Sequence, residues 1–294
     1  MTGWRERLLL ALSWTAGLTV CGAVGTLTIF LLGRGWPVLG GKLFFGSTPA
    51  LDALLGLRPV WDGIWPSVAG TLCLLLVTLL LAVPPGVGCG VFLACYATPG
   101  QKSWLGLAVD LLAGIPSIVM GLFGFVLIVW LRRTFLPQGT TCLLLSSFCL
   151  ALLVLPSLVA GTRAALEAVP ERLVLTAAAL GFSYGQTVRR FLLPAAGQGI
   201  LGGVMLAMGR AAEDTAVIML TGVVVNAGLP SGLTAKFEAL PFRVYYTAAQ
   251  YADQQELRLG FGTALVLLCL SGGLLFCAWA LQRRLERRWK GIRQ

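Results

Sequence analysis

The sequence predicts an all-α integral membrane protein with six transmembrane helices. Of its 294 residues, 57% are hydrophobic and only 12% are charged, and the mean hydropathy is +0.85, which is not the balance of a soluble globular protein. Uncharged runs occur at 8–33, 63–101, 111–131, 134–162 and 259–282. Most of them reach the roughly 20 residues that a spanning helix needs. Because the runs are continuous and Leu-rich, they favour helices over barrel strands.

The remaining span, fifth in chain order, is interrupted by charge. Residues 191–209 and 215–235 are uncharged, but Arg210, Glu213 and Asp214 lie between them. An ionised side chain in hydrocarbon costs about 2.5–3.5 kcal/mol, so such residues usually face protein or water and mark a transport pathway. In a continuous helix, Arg210 can pair with Glu213 at i, i+3 or with Asp214 at i, i+4.

A guanidinium presents a planar fork that suits bidentate binding of phosphate or carboxylate. We therefore interpret Arg210 as a transient contact for an oxyanion and Asp214 as its resting partner, with a fixed structural ion pair as the alternative. Arg210 follows Pro194 by 16 residues, or about 24 Å of helix, which predicts a position toward the outer mouth if the membrane begins at Pro194. Residues 115–117, including Ser117, are a second candidate lining element in the third span, or else a packed helix kink.

The distribution of Lys and Arg predicts that both termini are cytoplasmic. With the charges inside the fifth span left out, this orientation places 13 basic residues inside and 8 outside. The net charge of +10 belongs largely to residues that flank apolar helices, so anionic lipid, and not nucleic acid, is the expected neighbour. The outer segment 226–258 carries an aromatic cluster, which indicates either a docking face for a partner or an interfacial belt.

The sequence has no pattern typical of a metal site or of histidine-based catalysis. It contains no histidine, which excludes imidazole-based catalysis and histidine metal sites. Its eight cysteines all fall in predicted spans without metal-ligand spacing and are interpreted as small buried hydrophobes. We therefore predict no metal site and no enzyme activity for this chain.

The inner loop 163–191 is amphipathic. Pro170 can open a short helix, residues 173–175 and 177–180 provide an apolar face, and Gly181 can end the helix through a left-handed cap. Pro194 then fits the first turn of the fifth span. Such a helix suits a groove of another protein, and the alternative is an interfacial helix that rests on lipid.

At these residues the chain resembles ABC importer permeases. Leu175-Thr176-Ala177, Gly181, Phe191 and Leu193-Pro194 have the spacing of that superfamily's cytoplasmic loop motif. The stretches 112–124 and 209–216 narrow the resemblance to the A-type permease subunit of phosphate-specific importers. The resemblance covers roughly residues 65–283.

The resemblance implies a type I ABC importer permease fold with a cytoplasmic coupling helix. Residues 1–65 are then the first transmembrane helix and an outer loop, 66–283 the permease core, and 284–294 a basic cytoplasmic tail. The implied substrate-pathway residues are Arg210, Glu213, Asp214, Thr215 and Ser117. The implied ATPase-coupling residues are Glu167, Glu171, Leu175, Ala177, Gly181, Phe182, Ser183, Leu193 and Pro194.

The resemblance also implies the function and the partners. The chain is expected to move inorganic phosphate across the bacterial cytoplasmic (inner) membrane by alternating access. Its expected partners are a related second permease subunit, two ATP-binding subunits and an extracytoplasmic phosphate-binding protein. ATP and magnesium belong to the partner subunits, because this chain has no Gly-Lys-Ser/Thr phosphate loop. The alternatives are an importer of phosphonate, sulfate or molybdate, and a passive anion channel or membrane scaffold.

The sequence departs from the family pattern at two places. Leu175 stands where the loop motif normally has Glu, so the acidic contact to the ATPase is missing at that position, while Glu167 and Glu171 are nearby but out of register. In the fifth span, Glu213 replaces a Gly and Asp214 replaces a Glu.

Overall fold

The structure is a computed structural model that describes residues 3–290, without the side chains of Arg5, Leu281 and residues 284–290. Six of the helices in this part of the chain are long and apolar enough to cross a membrane, which confirms the predicted class. The helices are α1 (Trp4–Gly35), α2 (Gly41–Phe45), α3 (Ala50–Leu54), α4 (Trp65–Val91), α5 (Pro99–Ala113), α6 (Ser117–Thr134), α7 (Leu143–Glu167), α8 (Glu171–Ala179), α9 (Tyr184–Thr187), α10 (Leu193–Glu213), α11 (Ala216–Thr221), α12 (Leu240–Gln250) and α13 (Gln254–Lys290).

Two π-helical turns extend these helices. Phe92–Tyr96 continues α4, and Val188–Leu192 joins α9 to α10 without a break. The fifth span therefore runs from Tyr184 to Glu213. Helix α13 continues to Lys290, so part of the predicted basic tail is helical, and residues 291–294 lie outside the described residues.

Helix α7 lies at the centre of the bundle. It packs against α4, α10 and α6, and Leu150, Val154 and Leu158 on it are fully buried. Helices in membranes approach one another through small residues. A Cβ atom added to Gly161 of α7 would lie 3.3 Å from the Cα atom of Gly203 on α10. The backbones of these two helices are therefore in direct contact, which fixes the position of one helix along the axis of the other.

Helix α1 stands at the edge of the bundle. Its apolar window is 0% buried, and it packs mainly against α13. At its far end, the ring of Phe30 meets the ring of Phe261 edge to face, with centroids 5.6 Å apart. The rest of α1 exposes apolar side chains that lipid or another protein must cover.

The third predicted span differs from the expectation. Residues 111–131 are not one kinked helix, because α5 ends at Ala113 and a new helix, α6, begins at Ser117. Pro116 directly precedes α6 in an extended conformation, which proline favours and which a helix interior does not allow. Asp110 consequently belongs to α5 and not to the spanning helix.

The outer segment 226–258 is also not wholly on the surface. After α11 the chain folds back into the bundle, where the amide groups of Leu143 and Leu144 donate hydrogen bonds to the carbonyls of Ala235 and Leu233 at 3.0 and 2.8 Å. The segment therefore covers the first turn of α7, whose amide groups would otherwise lack partners.

Glu238 lies in this re-entrant segment and is 2% exposed. Its carboxylate accepts hydrogen bonds from the Ser67 hydroxyl at 2.7 Å and from the Gly228 amide at 3.1 Å, and it pairs with Arg243 at 3.3 Å. A Cβ atom at Gly70 would collide with the Glu238 carbonyl oxygen. One carboxylate therefore ties α4, the re-entrant segment and α12 together.

We predict that Glu238→Ala destabilises the protein by about 3–5 kcal/mol, because removing one partner of a buried ion pair leaves the other charge uncompensated. Thermal unfolding of the detergent-purified protein measures the effect. Glu213→Ala is the control, since that side chain is exposed and the substitution should leave the midpoint nearly unchanged. Equal midpoints for the two variants would contradict this role of Glu238.

Candidate functional site

The charged segment of the fifth span lies at a helix break. Helix α10 ends at Glu213, and Asp214 has an extended backbone with ψ of 110°. The Asp214 Oδ1 atom accepts a hydrogen bond from the Val217 amide at 3.0 Å, as a capping carboxylate does at a helix start. Thr215 completes the break, and its carbonyl accepts the Met219 amide at 3.1 Å. A new helix, α11, begins at Ala216.

This break corrects the expected geometry of the ion pair. Asp214 does not share a helical face with Arg210, because the helix that carries Arg210 has already ended. Among the side chains that the structure describes, the ion pairs are Arg58–Asp52, Arg163–Glu167 and Arg243–Glu238. Arg210 and Glu213 are both exposed, so the guanidinium is free to meet a ligand.

Arg210 lies near mid-height in the bundle. Its neighbours Ala207 and Ala211 pack in one apolar cluster with Val154 and Leu158, which lie close to the midpoint of the 25-residue α7. The expected position toward the outer mouth assumed that the membrane begins at Pro194, whereas the fifth span begins at Tyr184. The packing of its neighbours places Arg210 level with the middle of α7.

The second candidate element lies at a similar height. Ser117 is the first residue of α6 and is half-buried. Gly121, one turn later, faces α11 so closely that an added Cβ atom would lie 2.9 Å from the Ala216 carbonyl oxygen. The two helix breaks, at 114–116 and 214–215, therefore lie within about two helical turns, ~11 Å, of each other along the bundle.

Two donors of this region suit an anion. The first turn of an α-helix leaves amide groups without intrahelical partners and carries a partial positive charge. Helix α6 begins such a turn at Ser117, at a similar height to Arg210, whose guanidinium makes no ion pair with a side chain that the structure describes. The Asp214 carboxylate is engaged by a backbone amide, and Glu213 is the carboxylate left without such a contact.

The second predicted region is the inner loop, and its helix has the expected ends. Helix α8 follows Pro170 directly and ends at Ala179. Gly181 has a φ of 78°, and the Phe182 amide donates to the Ala177 carbonyl at 3.1 Å. The prediction of a left-handed glycine cap is confirmed, because few other residues adopt this φ without strain.

The apolar face of α8 differs from the prediction. Ala177 is 1% exposed, and Val174 packs on a cluster that contains Leu166 and Val188. Leu175, expected on the same face, is 67% exposed. In a helix this short, positions 174 and 177 point inward together, and position 175 lies well around the axis from them.

Hydrogen bonds fix the conformation of the rest of the inner loop. Ser183 and Gln186 form a reciprocal capping box at the start of α9. The Tyr184 hydroxyl donates to the Cys95 carbonyl at 2.8 Å and so ties the loop to the inner end of α4. Pro194 lies in the first turn of α10, after Leu193, as expected.

The two candidate coupling glutamates have different surroundings. Glu167 ends α7 and pairs with Arg163 at 2.8 Å, a one-turn surface pair worth about 0.3–0.5 kcal/mol. Glu171 lies in the first turn of α8, where a negative charge interacts favourably with the helix dipole.

With this geometry established, comparison with known proteins gives the family. The family described as "Binding-protein-dependent transport system inner membrane component" matches residues 86–291. The chain belongs to this family.

Named relatives of this chain are phosphate transport permeases. This chain is 32% identical over 277 residues to the phosphate transport system permease protein PstA of Haemophilus influenzae, and the match covers 91% of this chain and 93% of the relative. It is 33% identical to PstA of Mycobacterium leprae, covering 79% and 74%. It is 31% identical to PstC of Mesorhizobium japonicum, covering 72% and 69%.

Solved structures agree on the fold of the inner membrane component. A chain of the methionine transporter MetNI in an inward-facing conformation superposes with a TM-score of 0.57 at 18% identity, covering 81% of this chain and 99% of that one. A chain of a bacterial alginate transporter, solved with a pentasaccharide-bound periplasmic protein, gives a TM-score of 0.53 at 15% identity, covering 97% and 98%. These likenesses support the ABC importer permease fold.

The sequence analysis did not single out two residues that hold the bundle and the inner loop together. Glu238 lies in the predicted outer segment 226–258, although it is buried and hydrogen-bonded. Tyr184 was not singled out, although it bonds to the inner end of α4. The unusual feature of Glu238, an acidic residue next to Phe237 and Leu240 in an apolar stretch, was the available signal for its burial.

We predict that Asp214→Ala frays α11 and raises backbone amide exchange across Ala216–Thr221, because loss of a capping side chain costs about 1 kcal/mol. Asp214→Asn should raise exchange less, since its amide oxygen can still accept the Val217 N–H. Hydrogen–deuterium exchange with mass spectrometry measures both variants. If Asp214→Ala exchanged like the unchanged protein, Asp214 would have no capping role.

Proposed function

We propose that this chain is the A-type permease subunit of an ATP-driven importer of inorganic phosphate. The observation that carries the proposal is the Arg210 guanidinium, which pairs with no described side chain and lies near mid-height of the bundle, level with two helix breaks. Interrupted helices of this kind form substrate sites in transporters. The near full-length match to a PstA protein supports phosphate as the substrate and the A type as the subunit class.

Phosphate fits the chemistry of this region. The Arg210 guanidinium offers parallel N–H donors to two oxygens of one oxyanion. The amide groups of Ser117 and Ile118 at the start of α6, which have no backbone acceptor among the described residues, offer further donors with a favourable dipole. Such a site attracts a dianion more strongly than a neutral solute, and a phosphate can pass it without any covalent step.

The two carboxylates have separate roles in this proposal. Asp214 holds the start of α11 through the Val217 amide, so it preserves the break. Glu213 lies at i+3 from Arg210 on the same helix, where a carboxylate can pair with the guanidinium between transport cycles. Exchange of that carboxylate for phosphate gives transient binding.

The partners follow from the same assignment. A related second permease subunit covers the exposed face that carries Arg210, an extracytoplasmic phosphate-binding protein delivers the substrate, and two ATP-binding subunits hold ATP and magnesium. The inner loop with α8 is the ATPase contact, and both termini are cytoplasmic in the bacterial inner membrane. Nucleotide-driven closure then moves α8 and, through it, the spans.

We predict that Arg210→Gln lowers phosphate uptake at least about tenfold, because a hydrogen bond to a charged group is worth about 1.5–3 kcal/mol and each 1.4 kcal/mol is a factor of ten. Arg210→Lys should retain part of the uptake, since it keeps the charge but loses the fork. Radiolabelled phosphate uptake into proteoliposomes holding the whole importer and ATP provides the measurement.

Arg133→Gln serves as the matched control, because Arg133 is another exposed arginine, in the last turn of α6, and its loss should leave uptake unchanged. Full phosphate uptake by both Arg210 variants would contradict the proposed role of the guanidinium. If the importer took up labelled sulfate or molybdate and no labelled phosphate, the substrate assignment would be wrong.

A further inference from the structure

We propose that the inner loop contacts its ATP-binding subunit with the opposite charge to the family motif: arginines of this chain receive acidic side chains of the ATPase, around an apolar contact at Leu175. The inference rests on the proposed function, since it concerns the chemistry of the same coupling surface. Three observations on the loop carry it.

The first observation is the side chain at the motif position. Leu175 replaces the motif glutamate and is 67% exposed, while its neighbour Ala177 is buried against the bundle. The exposed strip continues one turn further with Ala178 and Ala179. A leucine side chain that is exposed to water on a short, well-packed helix stabilises the structure only when another surface covers it.

The second observation is a pocket with two arginines. Ser183, Gly185, Gln186, Arg189 and Arg190 line a cavity of about 660 Å³ at the start of the fifth span. Both arginines are exposed, and neither makes an ion pair with a described side chain. Their guanidinium groups are therefore available to carboxylates of another subunit.

The third observation is the charge of the whole loop. Residues 163–191 hold four arginines and two glutamates, and Glu167 is already paired with Arg163. Arg172 lies one turn before Leu175 on the exposed side of α8. The loop is thus an apolar strip flanked by Arg172, Arg189 and Arg190, with Glu171 as its one acid outside the ion pairs of the described side chains, and the complementary surface has an apolar centre and a mainly acidic rim.

The parts of this surface form one preformed unit. Helix α8 packs against α9 and the following π turn. The rings of Phe182 and Phe191 meet with centroids 5.1 Å apart, and the Arg190 guanidinium lies 6.0 Å from the Phe182 ring centre. A preformed surface loses little conformational freedom on docking, which favours a protein partner over loosely held headgroups of anionic lipid.

The deciding experiment compares Leu175→Glu with Leu175→Gln, two side chains of similar size that differ in charge. The permease subunits and their own ATP-binding subunits are purified separately in uncharged detergent, and the ATP-binding subunits are titrated onto the permease to form the complete importer. With an acidic rim on the ATPase, Leu175→Glu binds about three- to tenfold more weakly than Leu175→Gln. Tighter binding by Leu175→Glu than by Leu175→Gln would mean that the partner keeps the family's polarity, and would overturn the proposal.

A second pair of variants tests the pocket. Arg189→Gln with Arg190→Gln should weaken ATPase binding about five- to tenfold and flatten its dependence on salt, because screened charges no longer contribute. The matched control is Arg132→Gln with Arg133→Gln, two adjacent exposed arginines at the far end of α6, which should change neither quantity. Unchanged affinity and salt dependence in the Arg189 and Arg190 variant would also overturn the proposal.

Two further outcomes separate the possible errors. If the pocket variant differs from the unchanged importer only in bilayers with anionic lipid, and not in uncharged detergent, the arginines bind headgroups and the proposal fails. If the unchanged chain binds no ATP-binding subunit at all, the proposed function itself fails, whatever the variants do.

Discussion

Backbone hydrogen bonding inside an apolar bundle is the constraint on which the rest of this structure depends. A helix that stops in hydrocarbon leaves amide and carbonyl groups unpaired, each at a cost of several kcal/mol. The chain stops helices twice near mid-height and satisfies the groups locally. The Pro116 carbonyl accepts from the Val119 and Met120 amides at 3.0 and 3.2 Å, and the Asp214 carboxylate accepts from Val217. Because proline has no N–H group, the first break also has one donor fewer to satisfy.

The position of these breaks decides where charge can be tolerated. Close packing of Gly121 against α11 brings the two breaks to one level, and the helix start of α6 supplies a positive potential there. On α10, Leu206, Arg210 and Glu213 are exposed at spacings of four and three residues, so they form one stripe on the outside of the single chain. In the proposed function, the anion path is therefore a surface that a second subunit completes, and not a cavity enclosed by these helices.

The sequence predicts local structure such as helices and caps, but it does not predict contacts between residues that are far apart in the chain. Six spans follow from length and hydropathy alone, and the glycine cap of α8 follows from one residue type. The effect of Pro116 could not be chosen from sequence, because a kink and a helix start have the same local pattern and the packing of α6 on α11 decides between them. The burial of Glu238 could not be predicted for the same reason, since the hydroxyl that donates to its carboxylate belongs to Ser67, 171 residues away. Leu175 was misplaced because an unbroken apolar run gives no information about which side of a short helix is covered.

The fifth span joins the two functional regions mechanically. From Tyr184 to Glu213 the chain is one helical rod of 30 residues, about 45 Å long. One end is held in the inner loop by the Ser183 capping box, and the other end carries Arg210 directly before the break at Asp214. A rigid element of this kind transmits displacement without a chain of side-chain rearrangements. In the proposed function, rotation of the rod relative to α11 is absorbed at Asp214, where the helix ends, so movement of the inner loop alters the surroundings of the guanidinium first.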